Sequence, residues 1–149
     1  MNVRWIVAAV HLLGMALALG AAASRARAFD GHLDTAGVQR VLRADNYWGL
    51  SALILLGTGL WRAFGGLEKG TPFYLDSNLF WIKMGLFVTV LILEVGPMIA
   101  LIKWRAALRQ SAFVDTSRAA VFARISATQA VIVGLMVVAA AGMARAFDL

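Results

Sequence analysis

The chain contains no cysteine, so disulfides and thiolate metal sites are excluded. Charge is scarce as well, with Asp, Glu, Lys and Arg together making up 15% of the residues. No phosphate-binding glycine loop, nucleophile triad or carboxylate-rich metal cluster is spelled out either. What fills the chain is apolar. Hydrophobic residues are 61% of 149 and the mean hydropathy is +0.78, more apolar surface than a soluble core of that length can hide. The net charge of +6 would suit nucleic acid, but the basic residues sit at the ends of apolar runs. That is the membrane pattern: it makes the lipid bilayer the expected partner and leaves no role for nucleic acid.

Four apolar runs, 5–23, 47–64, 80–102 and 125–144, are each close to the length a helix needs to cross ~30 Å of hydrocarbon. The first follows Arg4 and ends in small residues, like a secretory signal, yet it is too long for a signal core and the chain behind it keeps crossing the membrane. The expected architecture is all-α: one domain over 1–149, an integral membrane four-helix up-and-down bundle with helices at about 4–24, 45–64, 79–104 and 122–145.

Lysine and arginine counts orient the helices. Arg25, Arg27, Arg40 and Arg43 lie between the first and second runs, and Lys103, Arg105, Arg109, Arg118 and Arg124 between the third and fourth. The opposite side holds only Arg4, Arg62, Lys69, Lys83 and Arg145, so the split is nine against five. The positive-inside rule then gives a multi-pass protein of the bacterial inner membrane with periplasmic N- and C-termini. Trp5, Trp48, Trp61, Trp81 and Trp104 all fall near expected helix ends and read first as an interfacial belt. Further copies of the chain, or a larger membrane complex, are the protein partners to expect.

Local signals refine this outline. Asp34-Thr35 and Asp115-Thr116-Ser117 offer N-cap oxygens that start helices two and four before the membrane, and their matched spacing to Arg43 and Arg124 suggests two related helix pairs. Gly14, Ala18 and Ala22 on helix one, and Gly49, Ala52, Gly57 and Gly59 on helix two, invite close helix packing. Gly96-Pro97 predicts a kink in helix three.

Polar residues inside the runs are the candidates for chemistry, because an ionisable group facing lipid is costly. They are His11, Lys83, Glu94 and Gln129. Lys83 and Glu94 share one helical face with Phe87, Val90 and Met98, and Gln129 shares one with Val133, Met136, Ala140 and Met143. The depths form two levels: an outer imidazole ringed by Lys83, Arg62 and Arg145, and an inner carboxylate and amide near Asp45 and Asn46. A neutral imidazole in such a bundle suits haem b iron, with the outer cations at the propionates and Met136, Met143 or Met15 as a sixth ligand. The other reading of this histidine is a hydrogen bond to a neighbouring helix. Glu94 reads as a buried base, or as a partner of Arg43, Arg124 or Gln129. Lys83 reads as a functional cation or one that snorkels outward, while Arg25, Arg27 and Arg105 read as topology signals or contacts to anionic lipid.

The runs Asn46-Tyr47-Trp48-Gly49, Gly57-Thr58-Gly59-Leu60-Trp61-Arg62, Phe80-Trp81-Ile82-Lys83, Leu93-Glu94-Val95-Gly96-Pro97-Met98 and Lys103-Trp104-Arg105 resemble a family of bacterial membrane proteins known as the domain of unknown function number twenty-two fourteen. More distantly, Arg4-Trp5-Ile6 leading to His11-Leu12-Leu13, and Ile82-Lys83-Met84-Gly85-Leu86, are similar to HemJ-type protoporphyrinogen oxidases and the CopD membrane domain. That resemblance implies a haem-binding membrane oxidoreductase with His11 as ligand and a functional Lys83. It departs at Leu79, where HemJ has tryptophan, and at Ser126 to Gln129, which replace an Asn-Glu-x-Pro run. Two functions of different class follow: a haem-b membrane redox protein with Lys83 and Glu94 as catalytic candidates, or an accessory or structural subunit whose polar residues only join helices.

Overall fold

The computed structural model describes residues 3–66 and 70–145, and every regular element among them is helical. The elements are α1 (Val3–Asp30), α2 (Thr35–Phe64), a single turn α3 (Thr71–Leu75), α4 (Asn78–Arg109) and α5 (Ala119–Ala144). Three of them, α1, α4 and α5, are long and apolar enough to cross a membrane. α2 has the length, at 30 residues, but Trp48, Gly49, Ser51, Gly57, Thr58, Gly59, Trp61 and Arg62 dilute its apolar half. Lys69, assigned to one side in the charge count, lies outside the described residues.

The helices outrun the apolar stretches. α1 reaches Asp30 and α4 reaches Arg109, so at 1.5 Å per residue they exceed the ~30 Å hydrocarbon slab by about two and three turns. α2 starts well before its apolar run because Asp34 caps it, the carboxylate accepting from Gly37 N at 2.7 Å. Gly37 is required there, since a β-carbon would collide with the His32 carbonyl. Asp115 does less than its matched spacing suggests: its carboxylate accepts from Ser117 N at 3.0 Å, shaping a turn, while α5 begins later, after Arg118. Pro97 is buried inside an uninterrupted α4.

Contacts at both ends set α1 antiparallel to α2, His11 meeting Thr58 and Arg25 meeting Asp45. α4 and α5 are related in the same way through Leu79 beside Gly142 and Glu94 beside Gln129. α1 packs on both α2 and α5, and α5 on α4, whereas α2 and α4 touch only sparsely. The core divides into three clusters, centred on Met15, Ala18, Ala22 and Met136; on Phe29, Val41, Leu101 and Trp104; and on Leu79, Phe80 and Met143.

The α1 stripe is buried, and a β-carbon at Gly14 would stand 2.8 Å from Ile54 Cγ2. Gly49 and Gly57 are corrections: both face outward with nothing near their β-position, so of the three glycines in the apolar half of α2 only Gly59 admits a side chain from another helix. Met98 also falls off the inward stripe of α4, at 47% exposure. The tryptophans divide. Trp5, Trp61 and Trp81 are exposed at the end carrying the chain termini, whereas Trp48 and Trp104 are buried and so are not part of a belt.

Candidate functional site

Towards the arginine-rich end, the buried face of α1 runs Gly14, Ala18, Ala22 and then, at the same spacing, Arg25 and Phe29. Arg25 is thereby carried inside, with no exposed side-chain surface. Its five N–H donors meet five acceptors. Nε donates to Ser126 Oγ at 3.1 Å, one terminal nitrogen to Asp45 Oδ1 at 2.7 Å and Glu94 Oε1 at 2.8 Å, and the other to Glu94 Oε2 at 2.6 Å and Gln129 Oε1 at 2.8 Å. The Trp48 ring lies under the guanidinium, 5.1 Å from centroid to carbon.

The rest of the cluster closes around this cation. Gln129 Nε2 donates to Glu94 Oε2 at 2.8 Å and to the Val90 carbonyl at 3.3 Å. Arg105 donates to Asp45 Oδ2 at 2.8 Å and to Asn46 Oδ1 at 2.9 Å. Two arginines and two carboxylates leave no net charge, and all four long helices contribute. Among the described residues, no buried side-chain nitrogen or oxygen lacks a hydrogen bond. The principal partner of Glu94 is therefore Arg25 on α1, together with Gln129 as expected; Arg43 and Arg124 are not its partners. Arg25 and Arg105 are corrected from lipid or topology residues to members of this cluster.

Nearer the end that carries the termini, a cavity of about 220 Å³ opens between α1, α2, α4 and α5 with α3 beside it. His11, Arg62, Lys83 and Met136 all line it, so the structure brings four of the candidate residues together. Arg145 does not line it and is exposed at the α5 C-cap. Glu94 belongs to the Arg25 cluster instead. Sulfur is concentrated in the cavity wall, with Met15, Met84 and Met143 alongside Met136, and Phe73, Tyr74, Phe80 and Phe87 supply aromatic surface.

The tautomer of His11 follows from its neighbour. Thr58 Oγ1 donates to the Ile54 carbonyl in its own helix, so its lone pair accepts from His11 Nδ1 at 2.8 Å. An Nδ1–H donor fits that lone pair, and a histidine held in this way through Nδ1 is of the kind that ligates metals through Nε2. Gly59 lets the ring lie against α2, since a β-carbon there would stand 3.4 Å from His11 Cε1. Among the described residues, no three of His, Asp and Glu gather to hold a metal ion; the donors in the cavity wall are the His11 imidazole, the methionine thioethers and the Tyr74 phenol.

The family described as predicted membrane protein (DUF2214) matches residues 3–147, and the chain belongs to it. No curated protein and no solved structure matches the chain.

Proposed function

We propose that this protein crosses the bacterial inner membrane four times as an up-and-down bundle, with both termini periplasmic, and binds haem b through His11 in its outer cavity as a membrane redox protein. The division of basic residues, seven against five once Arg25 and Arg105 are set aside in their cluster, supports the orientation. The observation that carries the haem reading is the contact of His11 Nδ1 with Thr58 Oγ1 at 2.8 Å, within a cavity also lined by Met136, Arg62 and Lys83.

The donor set fits a porphyrin. His11 Nε2 supplies a nitrogen ligand, Met136 a thioether, and Arg62 and Lys83 the cations that propionates require. The volume is tighter than the chemistry: about 220 Å³ is below the ~300–1,000 Å³ of ordinary ligand pockets. A porphyrin exceeds that volume, so binding one would require the surrounding helices to move apart. Bound haem would supply one-electron chemistry; the chain's own part is to orient the ring through His11, neutralise its carboxylates and exclude water with the aromatic wall.

Protein purified after haem-supplemented expression should show a Soret band that persists through gel filtration. Thr58→Val should shift that band or weaken haem retention, since the Nδ1–H loses its acceptor. Protein that stays colourless favours a second reading, an accessory or structural membrane subunit. The Arg25 cluster favours that reading independently, because it engages all four long helices and its polar groups are satisfied internally.

A further inference from the structure

A second cavity, about 370 Å³, lies at the arginine-rich end, along α4 and the start of α5 under the segment that joins them. Its chemistry changes along its length. Lys103 and Arg118 line one end, while Gly96, Ile99 and Ala100 line the other. Gly96 and Lys103 are two helical turns apart, about 10 Å along the axis. The apolar end is on a helix apolar enough to span a membrane, with Ile99 48% exposed. The back wall is fixed, because Trp104 donates its indole N–H to the Asp115 carbonyl at 2.9 Å and packs edge-on to Phe29.

The cationic end has room for an anion. Among the described residues no carboxylate forms an ion pair with Lys103 or Arg118. Arg118 stays beside the cavity because its guanidinium lies over the Phe122 ring at 5.5 Å. The one carboxylate in the wall is Asp115, held below the usual carboxylate range by hydrogen bonds from the Ser117 hydroxyl and backbone N–H. Counting it as ionised, the wall carries a net charge of +1, which one phosphodiester would neutralise. Phe113, also in the wall, is 89% exposed, an aromatic ring that is costly in water and favourable at a membrane interface.

We propose that this groove binds an anionic phospholipid, its phosphodiester between Lys103 and Arg118 and an acyl chain along Ile99 and Gly96. A soluble anion would use the cations and leave the apolar end unfilled, and a neutral lipid would leave the net charge uncompensated. The proposal depends on α4 and α5 lying in a membrane and is independent of the haem reading.

The test is native mass spectrometry of protein delipidated in neutral detergent and titrated with phosphatidylglycerol, phosphatidylcholine or inorganic phosphate. Phosphatidylglycerol should bind in preference to phosphatidylcholine, and inorganic phosphate should not displace it. The double variant Lys103→Gln/Arg118→Gln should bind phosphatidylglycerol about 30-fold more weakly. Lys103→Arg/Arg118→Lys, which keeps both charges, should retain most of the affinity, as should Arg109→Gln outside the groove. Equal binding of the two lipids, displacement by inorganic phosphate, or an undiminished double variant would each overturn the proposal. Should the double variant fail to fold, Ile99→Trp, which fills the apolar end on the lipid-facing side, should weaken phosphatidylglycerol alone, and unchanged binding would overturn it as well.

Discussion

Replacing Arg25 with leucine should be among the most destabilising single changes available to this chain. The substitution removes five hydrogen bonds and the positive charge shared by two carboxylates. The loss falls unevenly. Asp45 keeps Arg105 at 2.8 Å, but Glu94 keeps only the Gln129 amide, so one carboxylate, only 17% exposed, is left without a cation. Removing one partner of a buried pair costs ~3–5 kcal/mol, chiefly through the uncompensated charge left behind. At ~2–4 °C per kcal/mol, the apparent melting temperature should fall by on the order of 10 °C. Arg25→Leu/Glu94→Leu should recover more than half of that loss, because no lone charge remains and apolar side chains fill the space. The assay is thermal unfolding in detergent, followed by circular dichroism with all variants in the same micelle. An Arg25→Leu protein that melts with the wild type, or a double variant as unstable as the sum of the singles, would refute the reasoning.

Two further outcomes follow. Gly59→Val places two methyl groups where even a β-carbon would stand 3.4 Å from His11 Cε1, so it should displace the imidazole and abolish the His11–Thr58 bond while costing about 1–3 kcal/mol of stability; a histidine NMR signal unchanged from wild type would contradict this. Reporter fusions after Arg27 and Arg109 should be cytoplasmic and those after Lys69 and Leu149 periplasmic, and the reverse pattern would invalidate the charge argument.

The inward faces of α1 and α5 were readable from spacing alone, because small residues on one and Gln129, Val133 and Met136 on the other repeat every three or four positions. The same spacing, continued one step past the apolar run, would have placed Arg25 inside. Counting it as a loop cation treated the end of hydropathy as the end of the helix, while the backbone continues to Asp30. Glu94 and Gln129 share one level and meet, which follows from helical rise alone, but their common partner on α1 depends on how the helices are arranged around one another. α2 was the hardest to read. In its apolar half only Gly59 marks a close approach, and which of several small residues meets a neighbouring helix is a matter of rotation about the helix axis. The outer candidates His11, Lys83, Arg62 and Met136 converge because their depths agree; Arg145 follows Met143 and Ala144 of the cavity wall directly but is exposed and does not line the cavity.

The most direct test of the haem assignment is the haem content of purified wild-type protein and His11→Ala, measured by pyridine haemochrome after haem-supplemented expression and gel filtration. The account predicts close to one haem per chain in the wild type and almost none in the variant, with the helical circular dichroism of the two nearly superimposable because the change leaves only a small cavity. Equal haem in both proteins, or none in the wild type, would contradict it.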